Sequence, residues 1–165
     1  MKLKKYIANC FLLLLPIFLW NIILIDKLPK GYSPAIFEKD IPAFVTYGEI
    51  IMRVLVFALP LIMVLSFKTQ LQKIGLFIYS VGVLLYFSSW LVMIISPESD
   101  WSQSLIGFMA PAYTTIVWFI GIALIGKTSF LKLPKISLIY IGLALLFVVI
   151  HSAHAYIVFQ NLNNP

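Results

Sequence analysis

An all-α, multi-pass membrane protein with five transmembrane helices is the fold class this sequence predicts, and three observations predict it. Of 165 residues, 62% are hydrophobic and 11% charged, whereas soluble domains carry about 45–50% apolar and roughly 25% charged residues. Mean hydropathy is +1.02, so a globule of this length lacks the polar side chains needed to cover it. The apolar residues fall in five nearly continuous runs, each able to cross a hydrocarbon core of about 30 Å as a helix of about 20 residues. No run alternates apolar and polar positions, which excludes an outer-membrane barrel. Backbone groups in lipid must pair within their own segment, which leaves helices. The same composition excludes a disordered chain, a disulfide-stapled domain and a nucleic-acid binder.

The first span, about 6–25, follows Lys2, Lys4 and Lys5. Its apolar stretch is longer than a signal-peptide core and no small-x-small cleavage site follows it, so it is expected to stay as a span. Residues 26–42 form the one sizeable loop. Pro29, Pro34, Pro42 and Gly31 prevent a long helix there,. Its Leu28, Tyr32, Ile36, Phe37 and Ile41 lay it on the membrane surface or, as a lid, over the mouth of the bundle. The remaining spans are expected at about 43–67, 74–95, 105–125 and 136–159. Pro16, Pro60 and Pro111 fall inside spans, where each kinks its helix locally. Gly75 and Gly82 lie two turns apart on one face, where a neighbouring helix can approach. Residues 1–165 read as a single domain, and an odd number of unmatched spans does not support an inverted-repeat transporter.

Lysine placement predicts direction. Lys2, Lys4 and Lys5, then Lys68 and Lys73, then Lys127, Lys132 and Lys135 make eight of the twelve basic residues, all on one side of a five-span chain. Positively charged loops stay inside, so the N-terminus is expected in the cytoplasm and the C-terminus outside, in a cell membrane and most simply a bacterial inner membrane. All six acids fall at or beyond the outer boundary. Trp20, Tyr47, Trp101 and Tyr156 are expected in the outer aromatic belt, and Tyr6 and Tyr140 in the inner one.

Counting at about 1.5 Å per residue from the inner end of each span places Asn21, Arg53, Ser88 and His151 roughly 21–22 Å up, in the outer third of the membrane. Glu49 and His154 stand one turn higher, and Thr114 and Thr115 slightly lower. Arg53 is the single arginine beside eleven lysines, and a guanidinium is favoured where planar, bidentate contact with carboxylate or phosphate matters. Glu49, at i−4, can pair with it, either as a self-satisfied pair reaching for the interface or as part of a functional site. His151 and His154 share one stripe of the last helix. That spacing permits a metal ion, but zinc would need a third ligand, and Glu49, Glu98 and Asp100 are the carboxylates of suitable height. Interhelical hydrogen bonding is the other reading of the two histidines. Two histidines on one face cannot grip both sides of a haem, and no cofactor is predicted.

These residues lead to an expected small membrane protein whose polar layer, formed by Asn21, Glu49, Arg53, Ser88, His151 and His154, binds a lipid headgroup or a membrane partner as an accessory component. The alternative is a membrane-embedded enzyme, with or without metal on His151 and His154, acting on a lipophilic substrate at the outer face. A transporter subunit comes third, because the inner half of the spans is nearly free of polar residues. Membrane lipids are the expected partners, and nucleic acid is not one.

Overall fold

A computed structural model describes residues 7–163, so Lys2, Lys4, Lys5 and Tyr6 lie outside the described residues. Within them the chain is all-helical, without a strand, and five helices are long and apolar enough to cross a membrane. They are α1 (Cys10–Lys27), α2 (Ala43–Leu61), α3 (Gln70–Ile95), α4 (Leu105–Ile125) and α5 (Ile136–Asn163). Their outer surfaces carry large apolar side chains, such as Ile22, Phe44, Phe77 and Ile95, each at least 70% exposed, as lipid-facing helices require. The chain is thus a multi-pass membrane protein by length and composition of its helices.

Local chemistry sets the ends of these helices. In α1, Asn9 Oδ1 accepts from Phe11 N–H at 3.1 Å and caps a 3₁₀ turn over Cys10–Leu13. Pro16 then sits in the first turn of the α-helical segment, where a missing N–H costs nothing, and not in a mid-helix kink. The helix α3 begins at Gln70, four residues before the expected start, because Thr69 and Gln72 form a capping box,. Ser104 caps α4, accepting from Gly107 N–H at 3.1 Å. Pro111 cannot donate to the carbonyl one turn back, and α4 breaks after Tyr113, two residues beyond it, resuming as Thr115–Ile125. The last helix runs to Asn163, past the expected end near 159.

The second span is shorter than expected. Pro60 lacks an N–H and its ring crowds the preceding turn, so α2 tightens into a 3₁₀ turn at Leu59–Leu61 and stops. After the turn at Ile62, residues 63–65 instead run extended, and the segment bonds on both sides. Cys10 N–H donates to Met63 O at 3.0 Å and Leu65 N–H to Ala8 O at 3.1 Å, while Val64 N–H donates to Thr128 O at 2.8 Å and Phe130 N–H to Ile62 O at 3.0 Å. Three segments thus close one face of the bundle, and the 26–42 loop covers the opposite face, here termed the loop face. Arg53 then stands ten residues from Ala43 and eight from Leu61, about 15 and 12 Å. It lies near the middle of α2's length.

The helices α3 and α4 pack most closely. A Cβ on Gly82 would lie 2.4 Å from Trp118 N, and one on Gly121 2.5 Å from Tyr79 Cα, so both positions require glycine for the backbones to approach. The helix α5 packs on α4 and α2. At the centre Trp118, Phe119, Tyr140 and Phe147 are buried, with Phe119 edge-on to Phe147 at 5.8 Å. Tyr140 is therefore a core residue, not a belt residue, because its stripe of α5 faces α4. In contrast, α1 is held mainly by long side chains. Trp20 stacks on Phe87 at 4.0 Å, Tyr79 donates its hydroxyl to Leu13 O at 2.7 Å, and Phe18 meets Phe57 edge-on at 5.2 Å.

Candidate functional site: a carboxylate shared by three basic side chains

A cavity of about 370 Å³ opens below the loop face, and all five helices and the loop contribute to its wall. Most of the wall is apolar or aromatic, including Ile17, Phe57, Trp90, Phe108, Trp118 and Phe147. Its polar members are Asn21 from α1, Glu49 and Arg53 from α2, Tyr86 from α3, Thr115 from α4, and His151 and His154 from α5, with Tyr32 and Glu38 from the loop. Five of the six residues expected to form a polar layer therefore meet. Ser88 does not. It is exposed and lines a separate hollow of about 490 Å³ with Trp101 and Tyr113. Thr114 lines that hollow too, its hydroxyl donating to Ala110 O at 2.6 Å.

Glu49 is the hub. It is 2% exposed, and its i,i+4 spacing to Arg53 puts both on one face of α2. Arg53 donates to Glu49 Oε1, and His151 Nδ1 lies 3.1 Å from the same oxygen. His154 Nδ1 bonds the other oxygen, Oε2. One turn of α5 brings both imidazoles to one carboxylate, which ties α2 to α5 across the cavity. The His151 ring also stacks on Phe147 at 5.3 Å, fixing its plane. The Glu49–Arg53 pair is thus not self-contained, and the histidines make an interhelical bond with a partner from α2.

Bond counting assigns the protons around His154. Its Nε2 lies 2.8 Å from the Phe37 carbonyl, which can only accept, so Nε2 carries hydrogen. Its Nδ1 contact with Glu49 therefore holds one shared proton, giving an imidazolium beside a carboxylate or a neutral ring beside a carboxylic acid. Either form leaves the group of Glu49, Arg53 and His154 with one net positive charge. His151 adds a second when protonated.

The loop forms the roof. Tyr32 donates its hydroxyl to Phe108 O at 2.6 Å and its ring stacks on Phe108 at 4.6 Å. Burial pushes the Tyr32 phenol well above its ordinary range, so it stays a donor. Phe37 lies against His154, with ring centroids 4.7 Å apart. The covering position, and not a merely interfacial one, is the arrangement the loop adopts. At the α1–α3 boundary Tyr86 donates to Asn21 Oδ1 at 2.8 Å, which leaves the Asn21 amide hydrogens directed to neither Tyr86 nor any other described residue.

Among the described residues no group of three His, Cys, Asp or Glu is arranged to hold a metal ion. Both Nδ1 atoms are spent on Glu49 itself, and the other two carboxylates considered as third ligands do not line the cavity. Glu98 accepts from Gln103 at 2.8 Å and Asp100 starts a short helix, both exposed.

The fold and site together define a five-helix membrane protein with a basic, roofed cavity within the helical bundle. Comparisons with protein-family models, curated proteins and solved structures return no match to this chain.

Proposed function

We propose that this protein is an accessory component of a cell membrane, in a bacterium the inner membrane, that binds the anionic headgroup of a lipid through Arg53. The N-terminus lies in the cytoplasm, by the lysine distribution, and the cavity then faces the outer leaflet. One observation carries the reading: a single carboxylate is shared by three basic side chains, and the Arg53 side chain remains 49% exposed on the cavity wall. A guanidinium in a membrane helix is costly, and Glu49 does not saturate it. An anionic head that accepts two parallel N–H bonds would. His151 and the Asn21 amide supply further donors, and the aromatic wall takes the apolar part of the ligand. A partner's transmembrane helix bearing a carboxylate would engage the same guanidinium.

The test is co-purification. Arg53→Ala is expected to lower the amount of bound anionic lipid, read by mass spectrometry of extracted lipid, by at least about tenfold, the value of one lost charged bidentate contact. Arg53→Lys is expected to fold and to bind at an intermediate level, because it keeps charge but loses the planar fork. Unchanged lipid content and partners in Arg53→Ala would reject the proposal.

A second reading has an observation of its own. His151 Nδ1 is bound to Glu49 and its Nε2 has no hydrogen-bond partner among the described residues, the orientation of a general base on a carboxylate. In that reading the protein is an enzyme acting on a lipophilic substrate. Turnover of a bound lipid that is lost in His151→Gln while binding persists would favour it.

A further inference from the structure

We infer that the cavity fills sideways from the bilayer, through a portal between α1 and α2, and that its occupant is a lipid with a compact phosphate head. This inference rests on the headgroup reading above and specifies its ligand and route. Of the residues lining the cavity, the exposed ones are Ile25, Pro34, Glu38 and Arg53. Ile25 and Arg53 are the jambs, on α1 and α2, and the loop residues are the lintel. Near the closed face α1 and the chain after α2 are joined by the Cys10–Met63 bond, and Phe18 still meets Phe57 at 5.2 Å. Between that contact and the loop, no hydrogen bond or ring contact joins α1 to α2 among the described residues. On its other side α1 is sealed to α3 by the Trp20–Phe87 stack and the Tyr86–Asn21 bond. The α1–α2 side above Phe18 is thus without the polar and ring ties that hold the α1–α3 side.

The aqueous route is obstructed. Tyr32 and Phe37 pin the roof to Phe108 and His154, and Glu38 is the charged roof residue that lines the cavity. The lateral route leads to Arg53 instead, about 15 Å along α2 from its loop-face end. A head drawn to that depth trails its chain through the portal into the hydrocarbon, where the chain costs nothing to solvate. A volume of about 370 Å³ is at the small end of ligand pockets, enough for a phosphate monoester and its first methylenes but not for a bulky headgroup. The net positive charge of the Glu49 group matches a phosphate monoester.

The experiment uses the full-length protein in mixed micelles of phosphatidic acid, phosphatidylglycerol and phosphatidylcholine, with bound lipid read by native mass spectrometry. Phosphatidic acid is expected to be enriched about tenfold over phosphatidylcholine. Ile25→Trp, which narrows the portal, is expected to abolish that enrichment, while Ile23→Trp, exposed and nearly opposite Ile25 on the same helix, leaves it intact. In the unaltered protein, a phosphatidic acid with a diazirine near its head is expected to label α1 and α2 beside Ile25 and Arg53, and millimolar inorganic phosphate not to compete. Wild-type enrichment in Ile25→Trp, labelling confined to other helices, or competition by inorganic phosphate would overturn the lateral route and leave the headgroup reading standing. Enrichment that survives Arg53→Ala would remove both.

Discussion

Glu49 bonds Arg53, His151 and His154 at once, so truncating it strands three partners. Glu49→Ala is expected to destabilise the protein by about 3 kcal/mol, the cost of breaking a buried ion pair from one side, seen as a lower midpoint in thermal unfolding in detergent. Arg53 behaves differently because its side chain is half-exposed. Arg53→Ala should change that midpoint little while it depletes bound lipid, and this split separates a ligand-binding arginine from a structural one. Tyr32 holds the roof by one hydroxyl. Tyr32→Phe is expected to cost about 1 kcal/mol, the worth of one hydrogen bond, and to raise hydrogen exchange in residues 28–42 above that of the helices. Arg53, Glu49 and the two histidines were legible in the sequence because an ionisable residue in an apolar run is conspicuous. The Phe37 carbonyl was not, since a backbone acceptor carries no compositional signal.

At the scale of elements, the α3–α4 contact has the sharpest consequence. Gly82→Leu or Gly121→Leu would drive a side chain into the opposing backbone, and loss of the folded, monodisperse protein is the expected outcome. Gly142→Ala, with nothing within 4 Å of the added carbon, should raise stability by about 0.5–1 kcal/mol through helix propensity alone. Size-exclusion profiles and unfolding midpoints check both. Helix existence was legible throughout, but some helix ends were not. The run through residue 67 looked like one span because residues 62–67 are apolar apart from Ser66 and an extended strip is as hydrophobic as a helix. Pro60 marked the true end, and the T-x-x-Q pattern at Thr69 and Gln72 marked the next start. Ser88 shows the limit of counting. It stands half a turn round α3 from Tyr86 at nearly the same height, since successive residues rotate by about 100°. The buried row of Tyr79, Gly82, Tyr86 and Trp90, spaced three or four apart, was the available clue to which face looks inward.

For the whole molecule, orientation is the property to test. Cys10 is buried and unpaired by disulfide, so the native thiol should stay silent to a membrane-impermeant maleimide. Lys39→Cys, on the covering loop, is expected to label in intact cells, and Lys132→Cys only after permeabilisation. The reverse pattern would invert the topology and move the cavity to the inner leaflet. Composition, run length and lysine placement determined the class, the number of spans and the expected direction. These follow from the cost of exposing polar backbone and charge to hydrocarbon, a one-dimensional property of the chain. Which side of each helix faces its neighbours was decided only by the tertiary structure. Lipid and protein core are both apolar, so hydropathy does not distinguish them, and it took the packing of α2 against α5 to show that one carboxylate serves an arginine and two histidines.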